Sequence, residues 1–370
     1  MEYRKFGNTG VKISKLGFGA MRLPGDKKEG KWLIDEDKSL ELLTEGFKAG
    51  INYVDTAFPY CNEQSETVVG KAVKGWSGDV HVSSKSPIWR IEKRGDYRKY
   101  LEISLERLDR DYIDFYHFHN LTGYFYEEKI KKYDVIEEAQ KLKEEGLIKH
   151  ISFSFHDYPG LMIKLVDTGM LETVLCQYNF LDTTNDDAIA YAASKGVGVA
   201  VMGPLAGGRI LDLKADTVKG ACGIDLASLA LRFVFLNKDV STALSGMENL
   251  DVLRANLKTA GGPEEMSAEE KEFIDMMRGN KKVQEMIPCN ECGYCGDCPN
   301  DIPISRIFKY YNYYKLTGLE NPAKWQYSMI GRYDENSKAD QCSECGQCED
   351  ACPQNIDIIV KLKEIHKALS

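Results

Sequence analysis

Positive charge is scarce in this 370-residue sequence: 48 lysines and arginines stand against 57 aspartates and glutamates, a formal net charge of −9. A surface of that sign repels phosphate backbones and anionic lipid, so neither nucleic acid nor a membrane is an expected partner. Long apolar runs are missing too, none approaching the roughly 18 residues of a membrane span. The opening stretch MEYRKFGNTGVKISKLGFGAM has no h-region and no small-residue cleavage site, so the expectation is a cytoplasmic protein. Export-type disulfides are therefore not expected, although the chain has 11 cysteines.

Those cysteines are unevenly placed. Cys61, Cys176 and Cys222 are isolated, while the other eight fall between Cys289 and Cys352. In a chain without an export signal, such clustering points to metal binding. The change of regime falls near TAGGPEEMSAEEK (Thr259–Lys271), whose Gly-Gly-Pro and charged run read as a linker entering a helix. The expected organisation is a large domain over 1–262, a helical linker over 263–288 and a small cysteine-bearing domain over 289–370.

Before that boundary, strand and helix patterns alternate. KLGFGA, NYVDTA, VHVSSK, YIDFYHFH, IKHISFSF, TVLCQYN, GVGVAVMGP and VSTALSG read as strands. Amphipathic stretches such as EDKSLELLTEGFKAG and YRKYLEISLERLDR lie between them. Eight such repeats imply a parallel sheet and fit an α/β fold of the closed (β/α)8 TIM-barrel type. An open doubly wound sheet would carry a Gly-rich turn after its first strand, which GFGAMRL imitates only weakly. Ahead of the barrel, Asn8-Thr9-Gly10 between two alternating runs predicts an N-terminal β-hairpin plugging the barrel floor.

Active sites of such barrels form at the C-terminal ends of the strands. Asp55 ends the second strand, Lys85 the third and His119 the fourth, with Tyr60 five residues beyond Asp55. Alone, each has an ordinary structural explanation: a helix cap, a solvated lysine, a packing histidine. His117 shares the barrel face of His119, so either histidine would serve as ligand or filler. Together the four suit carbonyl reduction. A phenol of pKa near 10 is a poor acid at neutral pH. A neighbouring ammonium, held charged by a carboxylate, would lower that value, and an imidazole would orient the carbonyl oxygen.

These stretches resemble the aldo/keto reductase family over roughly residues 1–260: GFGAMRLP its first strand, NYVDTAFPY its Asp-Thr-Ala-x-x-Tyr signature, VSSKS its lysine and YIDFYHFH its histidine strand. The resemblance implies an oxidoreductase acting on a small carbonyl or alcohol, with Tyr60 as proton donor, Asp55 and Lys85 as its tuning pair and His119 orienting the carbonyl. It further implies NADP or NAD extended over the barrel mouth. Ser154 and Gln177 would hold the carboxamide, Pro204, Leu205, Gly207 and Gly208 the pyrophosphate, and Asn256 the adenine. The chain departs from the family at Phe155, usually Asn, and at Met202, usually aromatic. Its Gly246 and Val252 occupy positions where a 2′-phosphate would find a cation, leaving Arg254 as the nearby one. A flavin at the barrel mouth is therefore a rival cofactor.

The cysteine runs are Cys289-x2-Cys292-x2-Cys295-x2-Cys298-Pro299 and Cys342-x2-Cys345-x2-Cys348-x3-Cys352-Pro353. The second has the spacing of bacterial two-cluster ferredoxins, and the first is one residue shorter in its last gap. Paired zinc sites would use the same soft donors, but usually as two Cys-x2-Cys units. By analogy with those ferredoxins, whose fourth cysteine crosses to the other cluster, Cys289, Cys292, Cys295 and Cys352 would hold one [4Fe–4S] cluster, and Cys342, Cys345, Cys348 and Cys298 the other. This region resembles the mainly helical dicluster ferredoxin-like module attached to some aldo/keto reductase-like proteins. IPISRIFKYYNYYKL reads as a helix whose aromatics would pack toward the barrel, and DIIVKLKEIHKAL as a closing helix. The clusters would exchange electrons with a redox partner protein, or serve only as structural staples.

Overall fold

The computed structural model describes residues 1–28, 31–213, 224–332 and 336–370; Cys222 lies outside them. Each of the eight expected strand sequences forms a strand. The first hairpin is β1 (Tyr3–Lys5) and β2 (Lys12–Ser14). The first barrel strand, β3 (Leu16–Gly19), is followed by a second hairpin, β4 (Gly25–Lys28) with β5 (Lys31–Ile34). Then come β6 (Tyr53–Asp55), β7 (His81–Ser86), β8 (Ile113–Leu121), β9 (Ile148–Phe155), β10 (Thr173–Gln177), β11 (Gly198–Met202) and β12 (Thr242–Ser245). They close in the order β3-β6-β7-β8-β9-β10-β11-β12, with β12 pairing back onto β3 and every neighbour parallel. The fold is a (β/α)8 barrel.

Burial explains why these short runs hold as strands. Every residue of β8 is buried, as expected for a strand covered by helices outside and by packed side chains inside. The barrel floor is closed by the N-terminal hairpin. Phe6, in its connecting loop, inserts among Tyr53, Phe115, Leu175, Ala200 and Leu244. Its ring lies 4.9 Å from Phe115 and 5.5 Å from Tyr53. Gly198 opens β11 because a Cβ there would stand 2.4 Å from the Phe6 ring.

By internal contacts the chain divides into two units. One comprises Met1–Pro204 and Ala230–Glu265, the other Leu205–Leu229 and Met266–Ser370. The second unit is mainly helical: Ala268–Gly279, Ile304–Thr317, Glu320–Ser328 and Ile358–Leu369. Ser267 and Glu270 form a reciprocal capping box at the start of the first. The tyrosine-rich helix places Tyr311 in the core of this unit, beside Ile304, Ile307, Phe308, Tyr327, Leu362 and Ile365.

The second unit contains an internal repeat. Both cysteine runs read Cys-x-Glu-Cys-Gly-x-Cys, and in both the Glu and the Gly take left-handed backbone: Glu291 at φ 53° and Gly293 at 82°, Glu344 at 56° and Gly346 at 80°. Three residues past the fourth cysteine the same conformation returns, at Asp301 (51°) and Asn355 (49°). A helix then starts at Ile304 in one copy and Ile358 in the other.

Candidate functional site

Parallel strands deliver their last side chains to one rim. Asp55 ends β6, and the pairing of β6 with β7 sets it opposite Ser83, whose hydroxyl donates to Asp55 Oδ2 at 2.8 Å. Lys85 enters the barrel two residues later. Its Nζ donates to Asp55 Oδ1 at 2.5 Å, to the Thr56 carbonyl at 2.7 Å and to Tyr60 Oη at 3.1 Å. An ammonium has three protons and no lone pair, so these three acceptors saturate it. The Tyr60 oxygen therefore receives a bond from Lys85 and cannot return its own proton there.

Lys85 and Asp55 are only 1% and 2% exposed. Burial pushes the lysine below its ordinary value, opposed by the Asp55 carboxylate, and pushes Asp55 upward, opposed by Lys85 and Ser83. His119 closes the other side, its ring 5.8 Å from Tyr60 and 5.1 Å from Trp89. Burial, then the positive charge of Lys85, drives His119 well below the ordinary histidine range. A neutral imidazole results. His117 pairs in register with Lys85 and is held at about 3 by the same two effects.

Tyr60 is positioned by an unusual piece of backbone. The three residues after it, Cys61, Asn62 and Glu63, all have positive φ (52°, 52° and 65°). Non-glycine residues there each cost about 1–2 kcal/mol, so the turn needs anchors. Asn62 Nδ2 donates to the Trp32 carbonyl at 2.8 Å, Gln64 Nε2 to the same oxygen at 3.0 Å, and Cys61 Sγ to Met21 O at 3.3 Å. Arg90 pairs with Glu63 at 2.9 Å. Trp32 belongs to β5, so the second hairpin, which no sequence motif announces, holds the Tyr60 turn. Its strands, GDKK and KWLI, show no alternation by which it could have been found.

The residues expected to hold a nucleotide are more dispersed. Ser154, near the end of β9, is buried and accepts the Asn120 N–H at 2.8 Å. Gln177 ends β10, with Gly203 (φ 63°) against its side chain and Asp182 3.4 Å from its amide. Asn256 is buried and its amide donates to Ser245 Oγ at 2.9 Å. Pro204 ends the first unit's long segment, whereas Leu205, Gly207 and Gly208 belong to the second. Gly207 has φ 70°, and a Cβ there would lie 2.2 Å from the Asn290 carbonyl oxygen, which accounts for that glycine independently of any ligand. Arg254 is exposed and paired with Asp251 at 3.2 Å. A further cation, Arg22, lies beside Gly246: a Cβ on that glycine would be 3.7 Å from the arginine side chain. The closing pairing of β12 with β3 brings the two together, and strand order was the signal available for it.

In the second unit, Cys289, Cys292, Cys295 and Cys352 line one cavity with Ile304, Phe308, Ile356 and Ile358. The sulfurs of the first three lie within electrostatic reach of the Cys352 sulfur. Burial pushes Cys292 and Cys295 up to about 12, so as free thiols they stay protonated. Cys348 feels Cys298 and Cys342, which defines a second group; Cys345, between Cys342 and Cys348 in the chain, is exposed. Among the described residues, no three His, Cys, Asp or Glu side chains converge closely enough for a single ion. A cubane interposes its own iron and sulfide between its cysteines, so the donor set of soft sulfurs around an apolar cavity fits one.

Comparison with known proteins agrees with both units. Residues 15–275 match the model of the aldo/keto reductase family, and 288–356 that of the 4Fe-4S dicluster domain. The chain belongs to the aldo/keto reductase family and is an oxidoreductase. It is 30% identical to L-galactose dehydrogenase of Arabidopsis thaliana over 286 residues, covering 70% of this chain and 87% of that protein. An uncharacterized oxidoreductase of Bacillus subtilis is 25% identical over 294 residues, covering 70% and 91%. Among solved structures, an aldo-keto reductase of Bacillus halodurans in its holo form superposes with a TM-score of 0.63 at 27% identity, covering 75% of this chain and 96% of that one. No helix among the described residues is long and apolar enough to cross a membrane.

Proposed function

We propose that the barrel reduces an aldehyde or ketone with NAD(P)H, Tyr60 giving the proton, and that the second unit carries two [4Fe–4S] clusters for electron transfer. The observation that carries the first half is the saturated ammonium of Lys85. With Asp55 Oδ1, Thr56 O and Tyr60 Oη as its acceptors, Lys85 holds the phenol oxygen and stabilises the charge left when its proton departs. Bound NAD(P)H would supply the hydride to the carbonyl carbon. The proton passes from Tyr60 Oη to the carbonyl oxygen, giving the alcohol. Neutral His119 orients that oxygen by a hydrogen bond, and Trp89 offers a flat apolar wall beside it. Ser154 and Gln177 would face the nicotinamide end, and Arg22 rather than Arg254 would meet a 2′-phosphate.

The cluster ligands are proposed in crossed sets: Cys289, Cys292, Cys295 and Cys352 for one, Cys298, Cys342, Cys345 and Cys348 for the other. Clusters pass one electron and hydride moves two, so turnover linked to the clusters needs a flavin or a partner protein that converts between them. A flavin at the barrel mouth is a second reading, supported by Phe155 and Met202 standing where the family usually has Asn and an aromatic. The name of the Arabidopsis relative makes free sugars such as L-galactose the first substrates to assay. The test is oxygen-free purification, an absorption spectrum, and NADH or NADPH turnover with a carbonyl and sugar panel. Iron–sulfur absorption with pyridine-nucleotide turnover is expected; flavin bands without such turnover would replace the first reading by the second.

A further inference from the structure

The carbonyl of Ile287, two residues before the first cysteine, gathers three donors. Cys289 N–H reaches it at 2.8 Å, Asn312 Nδ2 at 2.9 Å and Arg209 Nη1 at 3.1 Å. Asn312, buried on the tyrosine-rich helix, also accepts the Ile287 N–H at 2.7 Å, so that residue is clamped at both its backbone polar groups. Arg209 comes from Ala206–Asp212, a short helical segment that follows β11 in the chain yet belongs to the same unit as the cysteines. Two residues earlier, Gly207 is in contact with the backbone of Asn290, between Cys289 and Cys292. A half-buried guanidinium is thus fixed to the carbonyl two residues before Cys289, beside the cavity lined by Cys289, Cys292, Cys295 and Cys352.

We propose that Arg209 sets the reduction potential of the cluster bound by Cys289, Cys292, Cys295 and Cys352. The inference rests on the ligand assignment proposed above. Reduction adds one electron from an external donor to a cluster already negative with its four thiolates, and breaks no bond. Burial disfavours that extra negative charge, and a fixed cation nearby offsets the penalty. At the opposite site Cys345 is exposed, so added charge there is screened by solvent. Arg209 is a positioning residue that touches no substrate.

The experiment is an anaerobic redox titration of the intact chain followed by EPR, with iron and sulfide assays, on wild type, Arg209→Gln and Arg209→Lys. In Arg209→Gln, one of two cluster signals is expected to shift to lower potential. Its reduced-to-oxidised ratio at a fixed poise should fall about tenfold, which is 59 mV for a one-electron couple. The second signal should not move, and Arg209→Lys, which keeps the charge, should stay within about threefold of wild type. Unchanged midpoints in fully loaded Arg209→Gln would overturn the proposal. So would a lysine variant shifted as far as the glutamine one, or loss of iron from both variants, which would make Arg209 a structural tie. Wild type without any cluster signal would instead refute the ligand assignment.

Discussion

Lys85 has three protons and three acceptors, and this count ties the Tyr60 oxygen to a buried charge. Replacing Tyr60 with Phe removes the proton and keeps the ring that packs edge-on to His119. Turnover should fall by about 10²–10⁴, with the visible absorption of the second unit unchanged; steady-state rates and a spectrum on one preparation check both. The ammonium also fixes a pH dependence. Burial lowers Lys85 from the ordinary 10.5, so as pH rises it loses its proton earlier than a surface lysine. In the proposed mechanism the protonated form supports reduction, and kcat/KM should therefore decline on the alkaline limb before pH 10.5, as a pH–rate profile would show. At this scale the sequence announced a great deal. Asp55, Lys85 and His119 each lie at or near the end of a parallel strand, and parallel register alone brings them to one rim. What it hid was the support: three consecutive left-handed residues after Tyr60 follow no composition rule, and their anchor, the Trp32 carbonyl, is a backbone atom that any residue would offer.

Elements differ in how openly they declare themselves. Most of the eight barrel strands carry β-branched or aromatic residues bounded by turns, and they are buried on both faces. The hairpin β4–β5 pairs a charged strand with an apolar one, without alternation in either, and was not legible. The plug was, and Phe6 is its working part. Phe6→Ala would empty a site walled by Tyr53, Phe115, Leu175 and Leu244, at a cost of about 3–5 kcal/mol. Denaturant unfolding followed by far-UV circular dichroism should show the loss, with the iron content of the second unit retained. The internal repeat was written in the sequence as well, since both runs read Cys-x-Glu-Cys-Gly-x-Cys. The left-handed backbone shared by Glu291 and Glu344, and the helix into which each copy leads, emerge only in the fold.

For the whole molecule, the proposed crossed ligand sets make a prediction that neither motif makes alone. Cys352 lies in the second run but lines the cavity of the first. Cys352→Ser should therefore remove the same cluster as Cys292→Ser, and the double variant should lose no more iron than either single one. Cys292→Ser combined with Cys298→Ser should lose both clusters, leaving almost none of the roughly eight irons that two cubanes contain. Iron analysis with EPR decides it. By internal contacts one change of unit falls between Glu265 and Met266. Linear reading could not foresee that Leu205–Leu229, from within the barrel's own stretch of chain, would join the second unit, because that membership depends on close packing at Gly207 and on one arginine.

The polypeptide thus passes from one unit to the other three times. No single cut separates them cleanly: a fragment ending at Glu265 would carry Leu205–Leu229 stripped of its companions, and a fragment starting at Met266 would lack it. Severing the chain at any one bond leaves part of one unit joined to the other, so truncation cannot assign a property to either.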